Sequence, residues 1–296
     1  MSDQPLVYAV ILAWNHVDIT LECLESLSKS QYKNFQIVVI DNGSTDGTTE
    51  TVRRAYYTVE VMRVEVNIGI ERAYNMGIEH ALKNGAAYVM AMNNDIVVDP
   101  EMVTHLVQGI QNHSKAGMVS PKIYHYYDDK TRLWCVGAVW VDFPPRVKMI
   151  GYNVPDSVQF QRDLKLSYVT SCCILMSREA LQKAGLFDPA YYFYNNDWDI
   201  SARFYGAGYE IWFIADAHIW HKVSMSTQKA EKPDMWWYAM GRSDVRFYLQ
   251  YKYAWQLAVY TVYFVIREMA KLKFKRVLPY LFGVAEGLAD RRGWRL

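Results

Sequence analysis

The chain has 296 residues, 51% of them hydrophobic and 15% aromatic, enough to bury a large core and to exclude the disordered and fibrous classes. Its formal net charge of +1 excludes the global basic field of a general nucleic-acid binder, so no nucleic-acid partner is expected. The charge is uneven: from Lys252 to Leu296 nine Lys or Arg stand against three acids, a net +6, which leaves −5 for the rest. An acidic body with a basic, aromatic tail suits contact with anionic lipid.

Leu6–Ala13 is a short apolar run with an acid and no basic segment before it, which reads as a buried strand and not as a signal peptide. Asp18–Ser30 then places Leu21, Leu24 and Leu27 on one helical face, and Phe35–Ile40 is a second buried strand that stops at polar DNGSTDGT. After a further helix and the strand Val59–Val64, residues 70–82 put Ile70, Ala73, Tyr74, Gly77, Ile78, Ala81 and Leu82 at amphipathic helical spacing. Ala87–Met92 is the next strand, ending in Asn93-Asn94-Asp95. Asp99-Pro100 is expected to open a helix as N-cap and first-turn proline, with Met102, Val103, Leu106, Val107 and Ile110 inward. Strand and helix alternate through residues 1–120, which implies a parallel sheet covered on both faces, with ligands at the carboxyl ends of its strands.

From 121 to 222 the pattern loosens into aromatic strands and loops, with short helices near Ser177–Lys183 and Trp198–Ala207, each stopped by a glycine (Gly185, Gly208). Beyond Pro233 the chain reads as helical. The four cysteines, Cys23, Cys135, Cys172 and Cys173, lack metal-ligand spacing and read as core thiols in a reducing cytosol.

Three polar clusters interrupt the apolar pattern. Asp41-Asn42-Gly43-Ser44-Thr45-Asp46-Gly47-Thr48 joins a strand to a helix; its carboxylates and amides suit a base, ribose or phosphate, and equally a capped turn. Asn93-Asn94-Asp95 stands at a strand end, where a carboxylate can hold Mg²⁺ or Mn²⁺ against a diphosphate or simply close a polar turn. Tyr194-Asn195-Asn196-Asp197-Trp198-Asp199 opens a helix, so Asp197 is either a cap or a base for a hydroxyl proton. His218 and His221 follow; a neutral imidazole there can complete a metal site or be structural.

The joint order of these stretches resembles the family 2 glycosyltransferases over roughly residues 6–250. The resemblance runs through Ala13-Trp14-Asn15, DNGSTDGT, Asn67-x-Gly69 with Arg72-Ala73-x-Asn75-x-Gly77, MNNDIVVDP, and CCILMSREALQKAGLFDPAYYFYNNDWDISARFYGAGYEIWFIADAHIWH. It implies the α/β GT-A nucleotide-diphospho-sugar transferase fold, a mostly parallel central sheet flanked by helices. Residues 1–235 would form the catalytic domain, 1–120 binding the nucleotide sugar and 121–235 the acceptor; residues 236–296 would add a helical appendage. It also implies an inverting, metal-dependent hexosyl- or deoxyhexosyltransferase in surface-polysaccharide synthesis. In that pattern Asp41 contacts the base, with Ala13, Asn15 and Asp46 lining the same pocket, Arg72 meeting base or phosphate, and Asn94 on the donor side. Asn93 and Asp95 match the two ends of the metal-binding D-x-D motif and His221 the downstream histidine, around Mg²⁺ or Mn²⁺. Asp197 matches the catalytic base, and Asn196, Trp198, Asp199, Arg203 and Arg242 fall on the acceptor side or behind it. Two positions depart from the pattern: Asn93 replaces the first Asp of D-x-D, and Asn196 replaces the Glu of Glu-Asp.

The expected donor is a nucleotide diphosphate-sugar, UDP- or dTDP-linked, and the expected acceptor a glycan or lipid-linked glycan. A sugar nucleotidyltransferase would want a glycine- and lysine-rich loop that residues 9–20 lack, and a non-catalytic binding scaffold would fit the two asparagines. Tyr253–Ile266 is apolar nearly all round and too short to span a bilayer. With Arg267, Lys271, Lys273, Lys275 and Arg276 after it, it suits a helix lying on the inner face of the cell membrane, or one buried in a homodimer interface.

Overall fold

A computed structural model describes residues 4–127, 129–191, 194–222 and 234–290. Most of the 222–235 segment expected to help shape the acceptor side, and Arg291, Arg292 and Arg295 of the basic tail, lie outside the described residues.

The first half alternates as its periodicity predicts: β1 (Val7–Ala13), α1 (Val17–Ser28), β2 (Phe35–Asn42), α2 (Thr48–Ala55), β3 (Glu60–Val64), α3 (Ile70–Lys83) and β4 (Tyr88–Asn93). Next come β5 (Ile96–Val98) and α4 (Met102–Asn112), then β6 (Ala116–His125), β7 (Arg132–Cys135), β8 (Gly137–Val141), β9 (Arg146–Ile150), β10 (Val154–Pro155), β11 (Leu164–Leu166) and β12 (Cys173–Ser177). The order closes with α5 (Arg178–Ala184), α6 (Asn196–Gly206), β13 (Glu210–His221), α7 (Asp234–Tyr251), α8 (Ala254–Ala270) and α9 (Val277–Ala289).

Strands β3, β2, β1 and β4 lie side by side and parallel. The chain moves outward from β1 to β3, and α3 then carries it back across to β4, so the carboxyl ends of β1 and β4 flank the reversal where open α/β sheets bind ligands. The second half extends the sheet through β12, antiparallel to both β4 and β6, and through β13, parallel to β6. Side-chain alternation builds a core on each face: Ala9, Ile11 and Ala13 of β1 pack under α1, α2 and α4, while Val10 packs under α3.

The α4 start differs from the sequence reading. Glu101, not Asp99, occupies the N-cap position. The Asp99 N–H donates to the carbonyl of His218 at 3.1 Å, which keeps Asp99 in the β5–β13 ladder; its side chain accepts from the Glu101 N–H at 2.9 Å, making a turn first. The five inward residues expected on α4 are all buried. All four cysteines are free and buried.

Helices α7 to α9 build a third core from Trp237, Phe247, Tyr248, Tyr260, Phe264 and Tyr280, which meets Tyr168 and Tyr191 of the sheet-bearing half. No described helix is long and apolar enough to cross a membrane.

Gly77 sets how closely α3 approaches the sheet: a Cβ there would lie 2.3 Å from Val10 Cγ1 and 3.1 Å from Ile40. Gly77→Val is expected to lower unfolding free energy by about 1–3 kcal/mol through overpacking, read as a shift in the urea midpoint at unchanged slope.

Candidate active site

Three loops meet at the carboxyl edge of β1, β2 and β4. β1 and β2 run in register with Ala13 opposite Asp41, so the loops that follow them start level. They are laced together: the Asn15 N–H donates to Ser44 Oγ at 2.8 Å, the Thr45 N–H to Asn15 Oδ1 at 2.9 Å, and the Val17 N–H to Asp46 Oδ2 at 3.0 Å. Asn15 is in the left-handed region at φ 56°, which asparagine tolerates. Gly43 also has positive φ, and a Cβ on it would lie 2.7 Å from the Val66 backbone. Burial pushes the Asp46 carboxyl up, but the Thr48 hydroxyl and the N–H groups of Val17 and Thr48 outweigh that and hold it below its ordinary value.

Asp41, expected to touch a nucleotide base, is fully buried with both oxygens engaged. It accepts from the Ser44 N–H at 2.9 Å and from the Thr49 hydroxyl, with Arg63 Nη1 at 3.6 Å. Each Asp41 oxygen thus accepts a hydrogen bond from within its own loop or the helix after it, which holds the loop's shape. Asn42 orders the next loop, accepting from the Ile68 N–H at 3.0 Å and donating to Asn67 Oδ1 at 3.1 Å. Arg72 is exposed on the first turn of α3.

The β4 end holds the second cluster. β5 pairs antiparallel with β13 so that Ile96 faces His221, and the Lys222 N–H donates to the Asp95 carbonyl at 2.9 Å. That register brings His221 Nε2 to 3.3 Å from Asp95 Oδ1. Both Asp95 Oδ1 and His221 Nδ1 are buried without a hydrogen-bond partner among the described residues. Burial pushes the Asp95 carboxyl up, yet the imidazole beside it, its own backbone N–H and the Asn93 side chain together hold it below the ordinary carboxylate range. Asn93 Oδ1 accepts from the Tyr74 hydroxyl at 2.9 Å, and its side chain hydrogen-bonds Asp95. Asn94 donates to the Thr20 hydroxyl at 2.8 Å, tying the loop to α1.

The fit of this pair to a divalent cation can be judged from its own chemistry. A buried carboxylate oxygen with no donor among the described residues, facing an imidazole nitrogen, is an oxygen-and-nitrogen donor set suited to Mg²⁺ or Mn²⁺. Among the described residues no group of three or more His, Cys, Asp or Glu converges, so substrate and water oxygens would complete such a shell.

The start of α6 is the third cluster, and it is held from three sides. Asn195, at φ 63°, donates to Asp244 of α7 at 2.8 Å. Asn196 donates to Glu71 of α3 at 3.0 Å while its own oxygen accepts from the Asp197 N–H at 2.8 Å. Asp199 pairs with Arg203 at 2.6 Å and accepts from the Tyr251 hydroxyl at 2.6 Å, and Arg203 also donates to the Ala184 carbonyl at 2.9 Å. Asp199 and Arg203 therefore clamp α5, α6 and α7 together. Trp198 packs on Phe247 and Tyr168 at ring distances of 5.5 and 6.3 Å.

Asp197 is what these clamps present. Its Oδ1 accepts from the Trp198 N–H at 2.9 Å, and the Ser171 backbone approaches it, one residue from the Cys172 carbonyl that accepts from the Asn93 N–H at 2.9 Å. Burial pushes its carboxyl up to about 6 against those backbone donors, a value suited to a base working near neutral pH. Arg242 lies on α7, where it pairs with Glu286 at 3.6 Å and Asp290 at 3.3 Å. His218 Nε2 donates to the Ala215 carbonyl at 3.0 Å, a structural setting.

Glu71, Arg63 and Asp244 have no role in the sequence reading, and Tyr74 appears there only as a core-facing residue. For two of them a signal existed: Glu71 shares the helical face of Tyr74 and Ile78, and Asp244 that of Trp237, Gly241 and Tyr248. An acid on an apolar face needs a partner.

A family model described as Glycosyl transferase family 2 matches residues 8–185. An N-acetylglucosaminyl-diphospho-decaprenol L-rhamnosyltransferase of Mycobacterium tuberculosis is 25% identical over 221 residues, covering 69% of this chain and 72% of its own. The amylovoran biosynthesis glycosyltransferase AmsE of Erwinia amylovora is 22% identical over 92% of this chain and 93% of its own. Among solved structures, GalNAc-T7 with UDP, GalNAc and Mn²⁺ superposes at TM-score 0.69 and 15% identity over 99% of this chain, which spans 59% of that one. The mannosyltransferase PcManGT of Pyrobaculum calidifontis, with GDP-Man and Mn²⁺, superposes at 0.60 and 14% over 98% of this chain and 89% of that one. The fold is thus of the GT-A type.

The Asp197 shift has a stability consequence. Its folded value lies above the ordinary 3.8, so the folded state holds the proton more tightly, and the stability this contributes is full below about pH 4 and lost as pH rises through about 6. Asp197→Asn is expected to stabilise the protein by on the order of 1–3 kcal/mol at pH 7.5 and by far less at pH 4.5, read from denaturant titrations at the two pH values.

Proposed function

The chain belongs to glycosyl transferase family 2, and on that premise we propose that it transfers a sugar from a nucleoside diphosphate-sugar to a glycan or lipid-linked glycan acceptor, with inversion at the anomeric carbon. The observation that carries this reading is Asp197: a carboxylate raised to about 6 by burial and fixed at a helix start. It takes the acceptor hydroxyl proton as the oxygen bonds to C1 from the face opposite the leaving group. The C1–O bond to the diphosphate breaks with its electron pair leaving on phosphate. One displacement inverts the centre.

The nucleoside lies against the laced loops at 13–17 and 41–48, with Asp41 and Asp46 holding their shape and Arg72 reaching over them. Asp95 and His221 would hold a divalent ion, which when bound would neutralise charge on the leaving diphosphate. Asn93 keeps Asp95 ionised and oriented. Asn196, bonded to Glu71, fixes the backbone that aims Asp197, so a neutral residue there is compatible with an active enzyme. UDP- and dTDP-sugars are the donors to try first. A diphosphate-lipid acceptor, as in the name of the mycobacterial relative, would place the protein at the inner face of a membrane and in surface-polysaccharide assembly.

The test is nucleoside diphosphate release from a panel of UDP-, dTDP- and GDP-sugars with Mg²⁺ or Mn²⁺ and lipid-linked or oligosaccharide acceptors. One donor is expected to turn over, with Asp197→Asn lowering kcat by about 10²–10⁴-fold and Asp95→Ala removing the metal dependence. The kcat/KM profile should rise with pH through about 6 and then level. Donor binding with no turnover under any acceptor would instead favour a non-catalytic scaffold.

A further inference from the structure

We propose that the corner between α8 and α9 docks the protein on an anionic lipid surface. This deepens the membrane-side reading above, which gives the contact its purpose, but the surface can be argued from its own residues.

The corner runs Lys271-Leu272-Lys273-Phe274-Lys275, and all five side chains are exposed. Leu272 is 77% and Phe274 55% exposed, and Leu272 stands at φ 57°, an unusual backbone state for a leucine. Exposed apolar residues continue from the corner into both helices, Ile266 and Met269 on α8, Leu278 and Phe282 on α9. A soluble protein seldom leaves so much large apolar surface contiguous in the chain.

Charge decides the occupant. Between Tyr253 and Ala285 Glu268 alone is acidic, and it is buried, paired with Arg267 at 2.9 Å and Arg276 at 3.1 Å. The exposed charges within this stretch are therefore all cationic, with Asp234 at the start of α7 sharing a cleft with Lys275, Leu278 and Phe282. Apolar side chains at a tip ringed by lysines suit insertion at the headgroup level of an anionic leaflet, where the lysine stems lie along the acyl boundary. A second copy of the same face would bring Lys271, Lys273 and Lys275 against their own kind, which opposes a symmetric dimer through it.

The test is co-sedimentation of the full chain, without donor or acceptor, with vesicles of phosphatidylcholine alone or with about one third phosphatidylglycerol. Binding to the anionic vesicles and not to the neutral ones is expected. Lys271→Glu, Lys273→Glu and Lys275→Glu together should lower partitioning more than about a hundredfold, at about fivefold for each lysine neutralised. Leu272→Glu with Phe274→Glu should do likewise, with thermal unfolding unchanged because both side chains already face solvent. Equal binding to both vesicles, no binding to either, or a dimer in sedimentation velocity that these variants dissociate would overturn the proposal. Donor turnover onto a water-soluble acceptor is read separately, so a failure to bind vesicles is distinguishable from a failure of the transferase reading.

Discussion

The structure turns on how the first residues of α6 are held. A carboxylate left half-buried at a helix start gains from the local N–H groups and loses hydration; at Asp197 the loss is larger. Such a group keeps one position only when its neighbours are fixed independently. Here Asn195 and Asn196 are tied to α7 and α3, and Asp199 to Arg203 of the same helix, so two elements distant in sequence converge on one turn of helix. The Asp197 carboxylate takes no part in these ties and accepts from backbone N–H groups.

The same logic operates at the two other loops. Asp41 and Asp46 accept from N–H and hydroxyl donors and act as internal scaffolding, whereas Asp95 and His221 retain buried atoms with no partner among the described residues. The contrast separates groups that shape the site from groups still able to take a ligand. Asn93 belongs to the first kind, since Tyr74 fixes its orientation and Asp95 receives its amide. An asparagine is better suited to that duty than an aspartate, which could not donate.

The helical appendage is coupled to this site through a buried acid. Asp244 accepts from Asn195 at 2.8 Å and from the Tyr280 hydroxyl at 3.1 Å, so one carboxyl joins α6, α7 and α9. Burial pushes it up to about 7 against those two donors. The lysine-bearing corner joins α8 to α9, and those two helices share their core with α7, whose Asp244 meets the start of α6.

Periodicity and punctuation alone were enough for the α/β alternation, the inward faces of α3 and α4, the helical end of the chain and the three polar clusters, because each depends on residues within a turn or two of one another. The family resemblance rested on the order of those clusters, and order is a property of sequence. What the tertiary structure decided were pairings across long separations. The β5–β13 register puts His221 beside Asp95 and keeps Asp99 out of α4; the packing of α7 takes Arg242 toward Glu286 and Asp290; the crossing of α3 brings Glu71 to Asn196. Whether a carboxylate is a ligand, a base or a brace depends on which donors reach it, and the donors arrive from elements whose proximity no local pattern encodes.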